Sequence, residues 1–85
     1  MSDANILSRL FWHRGRRQFV ELTVSDAARR LCITEYQAKQ KLMDLSSKGY
    51  ADHSWHKLNS DSVMIWKASG IGRNLIVAHL DGGIA

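Results

Sequence analysis

The chain has no proline and only one cysteine among its 85 residues. The lone Cys32 excludes an internal disulfide and a cysteine-rich zinc site. No apolar run approaches the roughly 18 residues that a membrane-spanning helix needs. A secretory signal is not expected either, because Phe11 and Trp12 are followed by positive charges rather than preceded by an apolar stretch. The expected location is a reducing cytoplasm. Acids are in the minority, 8 Asp and Glu against 12 Lys and Arg, which leaves a net charge of +4 and a pI near 9.6. That balance favours a polyanionic partner. There is no nucleophile beside a base, no glycine loop to cradle phosphate and no carboxylate pair. His53 and His56 are three apart, so on a strand they face opposite sides and do not form a metal pair. An enzyme, a cofactor and a metal are therefore not expected. With no repeat and no low-complexity tract, 85 residues make one small domain without room for a deep catalytic cleft.

What is present is a stretch with two capped helix starts. Thr23 can accept from the backbone N–H of Asp26 while the Asp26 carboxylate reaches back to the Thr23 N–H, so a helix is expected from Val24. Ala27, Ala28 and Leu31 share one face of it, and the two alanines let another helix cross closely. After a short turn in which Ile33 buries, Thr34 and Gln37 repeat the capping box. Ala38, Leu42 and Leu45 then recur at helical spacing to form an inner face. Gly49 ends this helix in a left-handed turn, with Tyr50 packing back on Leu45. Cys32, in the turn, is expected to be a buried and inert thiol.

The flanks extend the pattern. An opening helix capped by Ser2 or Asp3 sets Ile6, Leu7, Leu10 and Phe11 on one stripe and is expected to end near Gly15, with Trp12 as a half-buried flank. Residues 18–22 read as a very short strand beside a hairpin. The hairpin itself is expected from residues 50–57 and 62–68 around the turn Asn59-Ser60-Asp61, with Trp66 in the core. Helix, strand, helix, helix and hairpin is the order of an α+β winged helix-turn-helix: three helices, a short strand and a C-terminal wing over residues 1–70. Residues 71–85 form a tail, read as a frayed helix packing on the first helix or a docking segment, and its end at Asp81-Gly82-Gly83 is expected to be disordered.

At 100° per residue, an inward Ala38, Leu42 and Leu45 send Tyr36, Gln40, Met43 and Ser47 outward, flanked by Gln37 and Lys39. A glutamine amide can pair with adenine, lysine can meet guanine or phosphate, and tyrosine can meet phosphate or a thymine methyl. Glu35 could accept from cytosine N4 or simply favour the helix start through the dipole. Glu35, Tyr36, Gln37, Lys39 and Gln40 are thus the expected base contacts on a recognition helix spanning residues 34–48. Arg16, Arg17, Arg29, Arg30, Thr34, Lys41, His56 and Lys57 are the expected backbone contacts, although His56 and Lys57 also suit a merely solvated hairpin. Five or six neutralised phosphates would give a salt dependence with a log–log slope of about −0.9 per contact. Tyr36, Met43 and the apolar tail residues suit the rival reading, a winged-helix adaptor for a protein partner with little DNA binding of its own.

The run Thr34-Glu35-Tyr36-Gln37-Ala38-Lys39, followed by Leu42, Leu45, Lys48-Gly49 and a later Trp66, resembles the PapI/FaeA-type regulators of fimbrial operons, which carry Thr-Asp-Tyr-Gln-Ala-Arg at this place. The likeness covers about residues 24–70. It implies a small bacterial transcription regulator, a monomer or weak dimer that reads double-stranded DNA through the helix after Thr34, often with a larger global regulator of the leucine-responsive type. By position, Tyr36, Gln37 and Lys39 would be recognition residues. The sequence departs from that family at Ala27, where a larger aliphatic is usual, in a longer wing, and in Phe11-Trp12 and the tail.

Overall fold

In a computed structural model of the chain, which describes residues 2–82, the elements run α1 (Asp3–Phe11), β1 (Trp12–His13), β2 (Gln18–Phe19), α2 (Val24–Leu31), α3 (Glu35–Ser47), β3 (Ala51–Leu58), β4 (Asp61–Ala68) and α4 (Gly70–Gly82). The fold is an α+β winged helix with four helices among the described residues, one more than the sequence pattern suggests. Ser2 caps α1 by accepting from the Asn5 N–H at 3.2 Å. Ile6, Leu7, Leu10 and Phe11 turn inward to meet Ala27 and Ala28 of α2, the Ala38, Leu42 and Leu45 face of α3, and Trp66 of β4. The alanines do what their size allows: Ala27 and Ala38 are wholly buried where helices approach closely.

The helix-turn-helix forms on its own capping chemistry. Both boxes are closed, Thr23 with Asp26 and Thr34 with Gln37. α3 ends as expected: Gly49 takes φ 81°, and the Tyr50 N–H donates to the Leu45 carbonyl at 2.9 Å, a Schellman closure. The hairpin β3–β4 is antiparallel in the register Ala51↔Ala68 to Leu58↔Asp61. Asp61 therefore belongs to the strand, and only Asn59 (φ 58°) and Ser60 make the turn.

Four expectations need correction. α1 stops at Phe11 rather than near Gly15, because Trp12 goes extended (φ −112°, ψ 125°) and pairs with Phe19, their rings meeting edge-on at 5.2 Å. A helix continued to Gly15 would break that aromatic pair. The single strand expected over residues 18–22 is split. Gln18–Phe19 pairs with β1, whereas Leu22 forms a lone bridge to Trp66, exchanging backbone hydrogen bonds of 2.9 and 2.7 Å. Cys32 is exposed rather than buried. It holds the left-handed position at the end of α2 (φ 56°, ψ 46°), which turns its side chain outward, and Ile33 packs on the core instead while its N–H closes on the Ala28 carbonyl at 3.0 Å. The end of the tail, lastly, expected to be disordered, is helical through Asp81 and Gly82, whereas the helix itself packs on α1, as one of its two readings has it, and buries Ile76 in the core; Gly83 lies outside the described residues.

α4 is joined to the end of α3 by a tight backbone knot. The Ser69 hydroxyl donates to the Gly49 carbonyl at 2.6 Å and accepts from the Gly72 N–H at 3.0 Å, while the Ser69 N–H donates to the Tyr50 carbonyl. Lys48 closes the same corner from the other side, bonding Asp3 of α1 at 2.8 Å and Asp44 at 3.3 Å. These two carboxylates hold its ammonium above the ordinary lysine pKa.

Candidate nucleic-acid interface

The inner triplet Ala38, Leu42 and Leu45 fixes the rotation of α3, and the outer residues follow from it. Tyr36 is 73% exposed and Met43 52%, with Gln40 and Ser47 also open to solvent. Tyr36, Lys39 and Gln40 make no hydrogen bond or ion pair among the described residues. Their neighbours are more committed. The Gln37 amide oxygen accepts from the Thr34 N–H at 3.1 Å, and the Thr34 hydroxyl oxygen accepts from the Gln37 N–H at 3.1 Å. Only the Gln37 NH2 and the Thr34 O–H are therefore left to donate outward. Glu35 accepts from the Ser25 hydroxyl, tying the start of α3 to the start of α2.

β3 and β4 lean over this end of α3. His53 faces Trp66 and Trp55 faces Met64 across the hairpin, so these four side chains share one sheet face. At the base of the hairpin that face meets the core, and Trp66 is buried with its ring 4.8 Å from that of His53. Two residues further out it has passed the core edge, and Trp55 is 65% exposed. A cleft of about 380 Å³ opens there, lined by Val24, Glu35, Tyr36, Lys39, Trp55 and Met64.

Of the residues expected from sequence, the fold brings Glu35, Tyr36 and Lys39 together at this cleft, with Gln40 further along α3. His56 and Lys57 continue along β3 toward the turn, the His56 Nε2 lying 3.0 Å from the Ser54 hydroxyl. The arginines gather elsewhere. Arg29 pairs with Asp26 at 2.7 Å and, with Arg30, flanks a cleft reaching Glu21 and Leu22. Arg30 also joins Arg9, Arg14, Trp12 and His79 around a cavity of about 430 Å³ between α1 and α4. Lys41 lines a third cleft with Ile6, Arg9, Leu31 and Ile33. Arg16 and Arg17 occupy the exposed β1–β2 turn, where the Arg16 N–H donates to His13 Nδ1 at 3.0 Å. The basic residues thus form groups on several faces. Asp26 sits below the ordinary carboxylate pKa, chiefly because the Thr23 N–H donates to it, with the Thr23 hydroxyl and Arg29 adding to the effect.

Trp55 and Met64 escaped the sequence reading. Their signal was present in the hairpin alternation, which sets Trp55 on the same face as Trp66 once the register is known. No group of three His, Cys, Asp or Glu side chains able to hold a metal occurs among the described residues, nor does a helix long and apolar enough to cross a membrane.

No family model matches this sequence, and no curated protein does. Among solved structures, the adhesin competence repressor AdcR from Streptococcus pyogenes superposes with a TM-score of 0.68 at 17% identity, over 95% of this chain and 55% of that one. The chain thus spans about half the length of the structure it resembles. At this identity the likeness is one of fold.

Proposed function

We propose that the chain is a winged-helix transcription regulator that lays α3 in the major groove of duplex DNA. The observation that carries this reading is the outer face of α3: Tyr36, Lys39 and Gln40 are exposed and unengaged on a helix whose ends and inner face are fully specified. The net charge of +4 supports a polyanionic partner, and AdcR, called a repressor, shares the fold. Tyr36, Lys39, Gln40, Glu35 and the Gln37 NH2 are the proposed base contacts. Thr34, His56, Lys57, Arg16, Arg17, Arg29, Arg30 and Lys41 are the proposed contacts to the phosphate backbone. The resemblance to PapI/FaeA-type regulators adds the finer reading of a bacterial, cytoplasmic regulator of fimbrial operons, a monomer or weak dimer acting with a leucine-responsive-type regulator. Residues 1–70 would carry the DNA-contacting elements, and α4, which the sequence pattern set apart as a tail, completes their core through Ile76.

The test is fluorescence anisotropy on duplex DNA over a salt series, with wild type beside Tyr36→Ala/Lys39→Ala/Gln40→Ala, a variant that leaves both capping boxes intact. With about five phosphates neutralised, the wild-type log–log slope is about −4.5. The variant should bind at least tenfold more weakly with an unchanged circular dichroism spectrum. Absence of binding at low salt by a folded wild type rejects the reading in favour of the adaptor, which the exposed Tyr36, Met43 and Trp55 would suit.

A further inference from the structure

The cleft between α3 and the wing is almost entirely apolar on the face where hydrogen-bonding groups would be expected to read bases. Its floor is Val24 and Met64, both half-buried and packed on the core, so it is a fixed surface. Its walls are Tyr36 from α3 and Trp55 from β3, two large side chains left mostly in solvent. Lys39 and Glu35, whose carboxylate accepts from the Ser25 hydroxyl, complete the lining. An exposed apolar surface of this kind is unfavourable in water unless a partner covers it. On the major-groove edge of B-DNA one group alone is apolar, the C5-methyl of thymine, which 5-methylcytosine shares. Tyr36 and Lys39, which line the cleft, also belong to the outer face of α3, so a duplex lying along that helix would present its base edges to the cleft.

We infer that this cleft is a specificity site for a pyrimidine C5-methyl group, with Trp55 and Tyr36 closing on the methyl and Lys39 meeting the adjoining base edge. The inference rests on the reading of α3 as a DNA-reading helix. It adds Trp55, on the wing, to the residues that determine which sequence is bound. Removing one buried methyl from the DNA should weaken binding roughly fourfold.

The experiment begins with the full chain and a random-sequence duplex pool, from which a bound duplex is selected. Each thymine of that duplex is then replaced in turn by deoxyuridine, which deletes the methyl and nothing else. The expected result is a roughly fourfold loss at one or two positions for wild type, falling to less than twofold for Trp55→Ala, whose exposed position leaves folding intact by thermal melt. At the sensitive position, a 5-methylcytosine–guanine pair should exceed an unmethylated cytosine–guanine pair by the same ratio if the methyl alone is read, whereas no such gain would assign the effect to thymine as a whole and overturn the methyl reading. Indifference to deoxyuridine at every position, or a thymine preference that survives in Trp55→Ala, overturns the inference while leaving DNA binding standing. Failure of wild type to retain any duplex at low salt rejects the DNA reading itself.

Discussion

Helices α3 and α4 have the same length, thirteen residues each, and draw differently on local and distant contacts. α3 carries its own instructions: a closed capping box at Thr34, an apolar triplet at helical spacing and a left-handed Gly49 to end it. α4 has a local cap as well, Ser69 accepting from the Gly72 N–H, but Gly72 has no side chain to close a box, Gly70 and Gly72 disfavour a helix, and the rest of its hold is distant: the Ser69 N–H on the Tyr50 carbonyl and the burial of Ile76. A helix specified by its own sequence can leave one whole face unengaged, and α3 does so with Tyr36, Gln40 and Met43. α4 turns Ile71, Arg73, Asn74 and Val77 to solvent as well, so what marks α3 as the candidate interface is the kind of side chain it presents, polar and aromatic groups suited to a groove, rather than exposure itself.

The sharpest test of this contrast is a pair of identical substitutions in α4. A Cβ on Gly72 would stand 2.0 Å from the Tyr50 carbonyl oxygen, whereas one on Gly70 would meet nothing within 4 Å. Gly72→Ala should therefore lose about 3 kcal/mol, on the order of 15 °C in Tm. Gly70→Ala should be neutral or slightly stabilising, as expected for removing a flexible residue from a helix. Equal melting temperatures for the two would show that α4 is not pinned by the Tyr50 backbone.

A smaller effect is expected in α3, where the instructions are local. Thr34→Ala removes one half of the capping box and should reduce stability by about 1 kcal/mol in urea titration. A loss larger than that of Gly72→Ala would invert the comparison and make α3 the more context-dependent helix.

The smallest effect concerns the other capping box and depends on pH. Asp26 has a folded-state pKa below its ordinary value, so its contribution is present above the unfolded carboxylate pKa of about 3.9 and is lost as pH falls through the lower folded value. Asp26→Asn should flatten the acid limb of stability between pH 5 and pH 2 by about 0.5 kcal/mol or less, because solvent screens this partly exposed carboxylate. Denaturation curves of the two proteins that stay parallel down to pH 2 would count against the Thr23–Asp26 box as the source of the shift.

Local chemistry explains which parts of the fold could be read in advance. Thr23, Asp26, Thr34, Gln37 and Gly49 act within three to five residues of their partners, so the limits of α2 and α3 were legible. The end of α1 was not, because it is decided by Trp12 meeting Phe19 seven residues away. The outer face of α3 was legible from periodicity alone. The distribution of the arginines was not, since it depends on how α2, α4 and the β1–β2 turn are disposed around α1.

The sequence by itself determined the paired capped helices, their inner faces, the hairpin and the residues α3 turns to solvent, because each follows from hydrogen bonds and spacing within one turn or one strand. Only the tertiary structure decided that Cys32 faces outward, that α4 completes the core through Ile76, and that Trp55 joins Tyr36 across a cleft. Those outcomes depend on where the core ends, and the two tryptophans of one hairpin face, one buried and one exposed, mark that edge.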